Sequence, residues 1–549
     1  MRRPALVCGM ASFGQCARHL LGAAALLPVL LLHVQPSSRP TAAEPPSRRA
    51  ADPSLVVLLV VDQMRPDYLT RFDDDYEGGF RWLVDHGVVY LHARQDHALT
   101  QTAPGHSTLL SGRPPASTGI ISNSRGVPDR LAPLIGSTRT GASPRRYRGS
   151  SLFDWMLAKD PATRVLSVSR KDRGAILPVG RAGEDVYWYG YNGTFTTSTW
   201  YADSLPDWLE AWNARRGVAR LAGKRWDLLL PESRYPERDD YAFENGGRSV
   251  TFPHALPRDS AGLAGAIIDS PWMDSLVLDL ALEGMRQLQL GRRTQPDLLV
   301  VSLSATDAIG HDYGPDSREI HDQLVRLDRW LGRFLDSLST VVPRERTIFA
   351  LSSDHGTPSI PDYVREVEQR QAGRYSDRTT VRRLRDELET RWRATFEFTS
   401  EYGLLSADVN ALAARGIDVD SLSEAIAAEL VALPEIKAAY TPRTLAAAPV
   451  SDRYAELWRR HLPEDHGWLV VTVLEPTFIW SSGSGANHGR PEDADIEVPL
   501  VLVAPGHEPA RHQRPVRVTS LGPTLAALIR VVPTEPVELP LAELAGPPK

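Results

Sequence analysis

Leu55-Val56-Val57-Leu58-Leu59-Val60-Val61 is an unbroken apolar run that stops at Asp62. Seven such residues with no polar alternation mark a strand buried on both faces, as in a parallel sheet covered by helices. The pattern recurs. Leu298-Leu299-Val300-Val301-Ser302-Leu303 runs on to Asp307, and Thr347-Ile348-Phe349-Ala350-Leu351 passes through Ser352-Ser353 into Asp354-His355. Between these two, Ile320, Leu324, Leu327, Leu331, Phe334 and Leu338 recur at helical spacing, which predicts a strand, helix, strand crossover. A helix entered at Ser270-Pro271 precedes the Leu298 strand, and 163–169 and 498–503 read as further strands. The chain is therefore expected to be α/β, with a mostly parallel sheet flanked by helices. In open sheets of this class the carboxyl ends of the strands line the ligand crevice, so three strands running into Asp set three carboxylates on one edge.

Two of those acids have a histidine close by. Asp307 and His311 are four residues apart, Asp354 and His355 are adjacent, and Asn487-His488-Gly489 adds a third imidazole ahead of the strand at 498–503. Sorted into two groups, these oxygen and nitrogen donors suit Zn²⁺. Taken singly, each motif reads equally well as a capped turn or a hydrogen-bonded buried histidine. Thiolates are not available to such a site, because Cys8 and Cys16 both lie in the N-terminal stretch discussed below. A second stretch, Thr100 to Gly112, holds a candidate nucleophile. Pro104 and Gly105 suggest a turn followed by a short apolar helix, which puts Thr102 just before a helix N-terminus, where unpaired N–H groups favour an anion. A threonine before a Pro-Gly turn is also a common cap, and the local sequence leaves both readings open.

The chain has 549 residues, 42% hydrophobic and 24% charged, an ordinary globular composition with material for more than one domain. Its first stretch differs. Arg2, Arg3 and Arg18 precede the apolar run from Leu20 to Val34, and 36–53 is rich in Pro, Ser, Ala and Arg, the plan of a secretory signal and a linker. Small residues at Thr41-Ala42-Ala43 suggest cleavage near Ala43, giving a signal over 1–43 and a linker over 44–54; an uncleaved signal would leave a tether. The mature chain is expected to be periplasmic or secreted and to have no membrane span. The formal charge of −6 includes four arginines within 1–43, so cleavage leaves about −10, which argues against nucleic acid as a partner.

Taken together, VVDQMR (60–65), TAPGHSTLLSG (102–112), DAIGHDYGP (307–315), SDHG (353–356) and NHG (487–489) resemble the alkaline phosphatase superfamily in order and context. Within it the chain is most similar to the single-chain, phosphate-irrepressible alkaline phosphatases with a threonine nucleophile, close relatives of the nucleotide pyrophosphatase/phosphodiesterases. The matching segments extend from about Leu55 to Val532. The resemblance implies an alkaline-phosphatase-like fold with two Zn²⁺ ions, one held by Asp307, His311 and His488, the other by Asp62, Asp354 and His355 with Thr102. It also implies that Asn123 donates to a phosphate oxygen, and that Lys171 and Arg173 are the cations marking the monoesterase branch. The expected function is an exported, zinc-dependent phosphate monoester hydrolase acting on small phosphate esters through a phospho-threonine intermediate. Its alternatives are a phosphodiesterase or nucleotide pyrophosphatase with the same site, and a metal-containing binding protein without turnover. A sulfatase fits poorly, since its nucleophile is made from Cys or Ser.

Between the second acid-histidine pair and His488 the chain makes a long excursion that no βα connection requires. It reads as an α+β cap over 357–485, inserted between catalytic segments 55–356 and 486–549. Expected within it are a helical stretch from Tyr363 to Trp392, further helices at 407–415 and 421–433, and a strand at 468–474. Its arginine-rich face is most simply solvent-facing. The aromatics of Tyr187-Trp188-Tyr189-Gly190-Tyr191 are most simply packed under a surface loop.

Overall fold

The structure, a computed structural model, describes residues 52–546 except 138, 393–396 and 482. The expected signal, both cysteines and the linker up to residue 51 lie outside the described residues.

Nine strands build the main sheet: β1 (Leu55–Val61), β2 (Val88–Arg94), β3 (Val165–Ser169), β4 (Asp185–Tyr189), β5 (Phe195–Thr196), β6 (Asp297–Leu303), β7 (Thr347–Ser352), β8 (Glu497–Val503) and β9 (Ala510–Arg517). They lie in the order β9-β2-β8-β7-β1-β6-β3-β4-β5. The centre from β7 to β4 is parallel, β8 runs antiparallel to both of its neighbours, and β5 is an antiparallel edge. β1 is wholly buried. Leu55, Val57, Leu59 and Val61 feed the core on one face, while Val56, Leu58 and Val60 feed the other, as a period of two requires. On the first face lie the helices α3 (Trp272–Gln287) and α5 (Arg318–Ser339), whose Leu276, Leu280, Leu324 and Leu331 join that core. On the second lies α1 (Thr102–Leu109), through Ala103 and Leu109.

Register decides where the strand ends fall. Val61 pairs with Leu303 and Val60 with Ser352, so β1, β6 and β7 stop level with one another. Ser302 pairs with Ser169, which brings the end of β3 to the same edge. After these ends come Asp62, the helix α4 (Ala305–Tyr313), Asp354-His355, and the helix α2 (Asp172–Ile176).

The segment between β7 and β8 builds a second, antiparallel sheet in the order 399–401, 404–406, 470–474, 436–440. Helices at Val409–Ala414 and Val419–Val431 cover one face through Leu412, Leu422 and Ile426. The other face joins Ala98, Leu99 and Ile121 of the main body through Val471, Val473 and Trp458. The expected helical run from Tyr363 to Trp392 is broken. A short helix (Pro361–Glu366) gives way to a strand at Gly373–Tyr375, which pairs with Phe478–Trp480, and the helix α6 (Asp377–Trp392) follows. Gln369, at φ 55°, takes a left-handed turn no helix interior accepts. The strand expected from Trp468 begins at Val470. The aromatics at 187–189 do not lie under a loop; they are β4, with Trp188 facing one core and Tyr187 and Tyr189 the other. Strands β2 and β9 escaped the sequence reading because each carries polar residues and lies toward one side of the sheet. Among the described residues no helix is long and apolar enough to cross a membrane.

Candidate active site

Thr102 is the first residue of α1, with Gln101 as its N-cap in extended conformation; Pro104 and Gly105 lie in the helix's opening turns and do not form a turn ahead of it. Proline is tolerated there because the N–H groups of a helix's first turn have no intrahelical acceptor. Gly105 is needed for a different reason: a Cβ at that position would overlap the main-chain carbonyl of Asp354, so its absence lets α1 lie against the end of β7. That contact brings a buried threonine to the edge where the carboxylates collect.

All three candidate histidines are oriented the same way. His311 Nδ1 donates to the Ala486 carbonyl at 3.0 Å, His488 Nδ1 to that of Thr100 at 2.6 Å, and His355 Nδ1 to that of Gly356 at 3.1 Å. A carbonyl can only accept, so each ring carries its proton on Nδ1 and presents the Nε2 lone pair inward. His311 Nε2 stands 3.4 Å and His488 Nε2 3.6 Å from Asp307 Oδ1. His355 Nε2 stands 3.5 Å from Asp62 Oδ1 and 3.3 Å from Asp354 Oδ2. Donors on one tetrahedral ion with bonds of ~2.0–2.1 Å are ~3.3–3.4 Å apart, a spacing close to that of these atoms, which can therefore share an ion.

The donor atoms of Asp307, His311 and His488 lie within 4.8 Å of one another, as do those of Asp62, Asp307 and His355. Asp307 thus borders both groups, and Asp354 reaches the second through His355. Asp62 Oδ1, Asp354 Oδ2 and His355 Nε2 are buried without a hydrogen-bond partner among the described residues. Buried polar atoms left this way are costly unless a cation takes them.

Lys171 lies where the groups meet. Its Nζ is 2.6 Å from Asp62 Oδ2, 2.7 Å from Asp307 Oδ2 and 3.1 Å from Thr102 Oγ1. Arg170, buried beside it, comes within 3.6 Å of Asp307 Oδ2. Three buried carboxylates thus face one ammonium and the edge of one guanidinium, a shortage of positive charge that divalent ions would correct. The titration of the groups reflects this. Burial, with Asp307 and Asp354 nearby, pushes Asp62 above the usual carboxylate range. Burial acts upward on Asp307 as well, but Lys171 and His311 outweigh it and hold that carboxyl well below the range. Burial and His488, stacked on it at 3.6 Å between centroids, keep His355 neutral, the state a ligand needs.

Asn123 is half-buried, and its Oδ1 accepts from the Ala103 N–H at 2.9 Å, which holds its amide against the first turn of α1. Arg173 is set apart from this cluster. Its guanidinium is a quarter exposed and meets Asp172 at 3.5 Å.

Three supporting residues went unnoticed in the sequence. His106 lies one turn after Thr102, with Nδ1 2.9 Å from the Thr102 carbonyl and 3.1 Å from Asp354 Oδ2, and Nε2 2.9 Å from Ser302 Oγ. Its i, i+4 relation to Thr102 would have revealed it had α1 been started at Thr102 and not after a Pro104-Gly105 turn. Gln63 donates from its main chain to Asp354 at 3.2 Å and from Nε2 to Asp307 at 3.2 Å, and it holds φ at 66°. A non-glycine residue in that conformation stores strain, and it does so here between two candidate ligands. Arg170 is the third; its place at the end of β3, beside Lys171, was the available signal.

A family model described as type I phosphodiesterase / nucleotide pyrophosphatase matches residues 56–488. A Myroides odoratus protein named calcium-transporting ATPase is 30% identical over 515 residues, covering 88% of this chain and 93% of its own. Alkaline phosphatase PafA of Elizabethkingia meningoseptica is 28% identical over 538 residues, covering 90% and 95%. The crystal structure of wild-type alkaline phosphatase PafA matches with a TM-score of 0.84 at 26% identity, over 91% of this chain and 100% of that one.

Proposed function

This chain belongs to the type I phosphodiesterase/nucleotide pyrophosphatase family, and from that premise we propose that it is an exported phosphate monoester hydrolase that holds two Zn²⁺ ions and works through a phospho-threonine intermediate on Thr102. The observation that carries this reading is the placement of the Lys171 ammonium against Thr102 Oγ1 and two ligand-type carboxylates at once. Asp307, His311 and His488 would hold one ion, and Asp62, Asp354 and His355, with Thr102, the other. Bound there, the ions would stabilise negative charge on the attacking and leaving oxygens and ease loss of the hydroxyl proton.

The chain's own residues supply the rest. Thr102 Oγ1 gives up its proton to solvent and attacks phosphorus, an O–P bond to Thr102 forms as the bond to the leaving alcohol oxygen breaks, and that oxygen takes a proton from solvent. Water then cleaves the phospho-threonine, releasing phosphate and restoring the hydroxyl. Lys171 steadies charge at the threonine oxygen and on the phosphoryl group, and Asn123 Nδ2 donates to a phosphoryl oxygen. Arg173, on leaving Asp172, reaches the same group as a fork. His106 and Gln63 fix the orientation of Asp354 and Asp307.

The family description favours a second reading, in which the same site prefers diesters or nucleotide pyrophosphates. A simple aryl phosphate and its diester, compared under identical conditions, separate the two: the proposal expects faster monoester turnover, and a faster diester reaction overturns it. Turnover of either ester rejects the non-catalytic binding protein. Export is supported by the residue pattern of 1–43, and a secreted or periplasmic product beginning near Glu44 is the result to look for.

A further inference from the structure

The arginine-rich helix α6 exposes Arg378 and Arg382, as expected, and the same face borders a cavity. Leu384 and Leu388 are buried with Leu405 and Leu422 of the antiparallel sheet and its helices, and this fixes how the helix is turned. Arg378, Arg382 and Arg385, spaced i, i+4, i+7, then fall on a common face. All three line one cavity of about 680 Å³, together with Glu401, Tyr402 and Asn487. That volume lies within the range of small-molecule sites.

Two contacts place the cavity at the mouth of the candidate active site. Asn487 is the neighbour of His488, and its Nδ2 donates to the Trp480 carbonyl and, at 3.3 Å, to the Tyr402 hydroxyl. Beside Tyr402, Glu401 accepts from Ser124 Oγ at 2.5 Å, and Ser124 adjoins Asn123. The wall is firm: Trp480 and Tyr375 pack edge to face at 5.5 Å between centroids, and a Cβ on Gly489 would press into the Tyr402 ring. Three guanidinium groups line the cavity against one carboxylate, which is already bonded to Ser124, so cationic charge dominates. Guanidinium forks match phosphate oxygens better than any other side chain does.

We propose that this cavity receives a second phosphate carried by the leaving group, so that the enzyme favours bisphosphorylated over singly phosphorylated esters. The proposal rests on the monoesterase reading and deepens it. The alcohol ejected from phosphorus departs away from Thr102, and a phosphate on that alcohol then meets Arg378, Arg382 and Arg385.

The test uses the zinc-loaded enzyme with fructose 6-phosphate and fructose 1,6-bisphosphate, which present similar esters and differ in the second phosphate. For the wild type, kcat/KM is expected to be higher with the bisphosphate, and the advantage should shrink as salt is raised. In Arg378→Gln/Arg382→Gln/Arg385→Gln, the ratio of bisphosphate to monophosphate kcat/KM should fall about tenfold, the order of a partly exposed charge-assisted contact. Arg378 and Arg382 are exposed, so folding does not depend on them, and Arg382→Glu alone should lower the ratio while Arg382→Lys keeps part of it. An unchanged ratio in both the triple variant and Arg382→Glu, with both esters still turned over, overturns this proposal alone. A wild type inactive on both esters overturns the monoesterase reading and this proposal with it.

Discussion

Lys171→Ala removes an ammonium that is 3% exposed and touches three oxygens, at 2.6 Å on Asp62, 2.7 Å on Asp307 and 3.1 Å on Thr102. A phosphate monoester brings a dianion at neutral to alkaline pH and a diester a monoanion, so a buried cation at this point favours the monoester. One charge-assisted hydrogen bond is worth about 1.5–3 kcal/mol. If it is made to the phosphoryl group in the transition state, its loss lowers kcat/KM roughly ten- to 150-fold. The assay compares p-nitrophenyl phosphate with bis(p-nitrophenyl) phosphate at saturating Zn²⁺, so that one chromophore reports both, and metal per chain is measured on the same samples. The monoester should lose by the stated factor, the diester by a few-fold at most, and the metal content should hold. Lys171→Arg should not rescue, because a planar fork cannot meet three oxygens converging on one point. Equal losses on both esters, accompanied by a change in metal content, would mean that Lys171 only balances the carboxylates, and would refute the reasoning.

Thr102→Ala should retain metal and lose nearly all turnover, Thr102→Ser should keep much more, and quenching the wild type during turnover should trap phosphate on Thr102 by mass spectrometry; a persistently active alanine variant would point to direct attack by water. Exhaustive chelation should abolish activity and Zn²⁺ restore it, with two ions per chain by elemental analysis; His488→Ala should deplete the Asp307–His311 group first, and a wild type with well under two ions per chain counts against the assignment. Gly105→Ala should cost about 1–3 kcal/mol of stability, the range for overpacking, and should depress activity by pushing α1 off the Asp354 carbonyl; a variant with unchanged melting temperature and turnover would show that this contact is slack. Arg173→Ala should reduce monoester kcat/KM less than Lys171→Ala does, since Arg173 must first leave Asp172; a larger loss would mean that the free-state pairing does not limit it.

The central sheet was legible because its strands are buried on both faces. The largely apolar runs at 55–61, 298–303 and 347–351 are of strand length, and each is followed closely by an acid, Asp62, Asp307 in the first turn of α4, and Asp354. Single-chain patterning also found α5, whose apolar positions repeat every three to four residues over 22 residues. Asp62, Asp307, His311, Asp354, His355 and His488 emerge as candidate ligands from the acids after the strands, the acid-histidine spacing and the family resemblance together. Their convergence does not. It depends on the register Val61 to Leu303 and Val60 to Ser352, and on three backbone carbonyls that fix the imidazoles, contacts between residues up to 388 positions apart. Gln63 stayed hidden for the same reason, since its role lies in a positive φ and in contacts to Asp307 and Asp354 that leave no local trace, whereas Arg170 left only its place beside Lys171 at the end of β3. The arginines of α6 make the same point most plainly. Helical spacing put Arg378, Arg382 and Arg385 on one face, but whether that face met water or a cavity beside Asn487 was decided by how Leu384 and Leu388 dock on the antiparallel sheet, because burial of an apolar stripe sets the rotation of the whole helix.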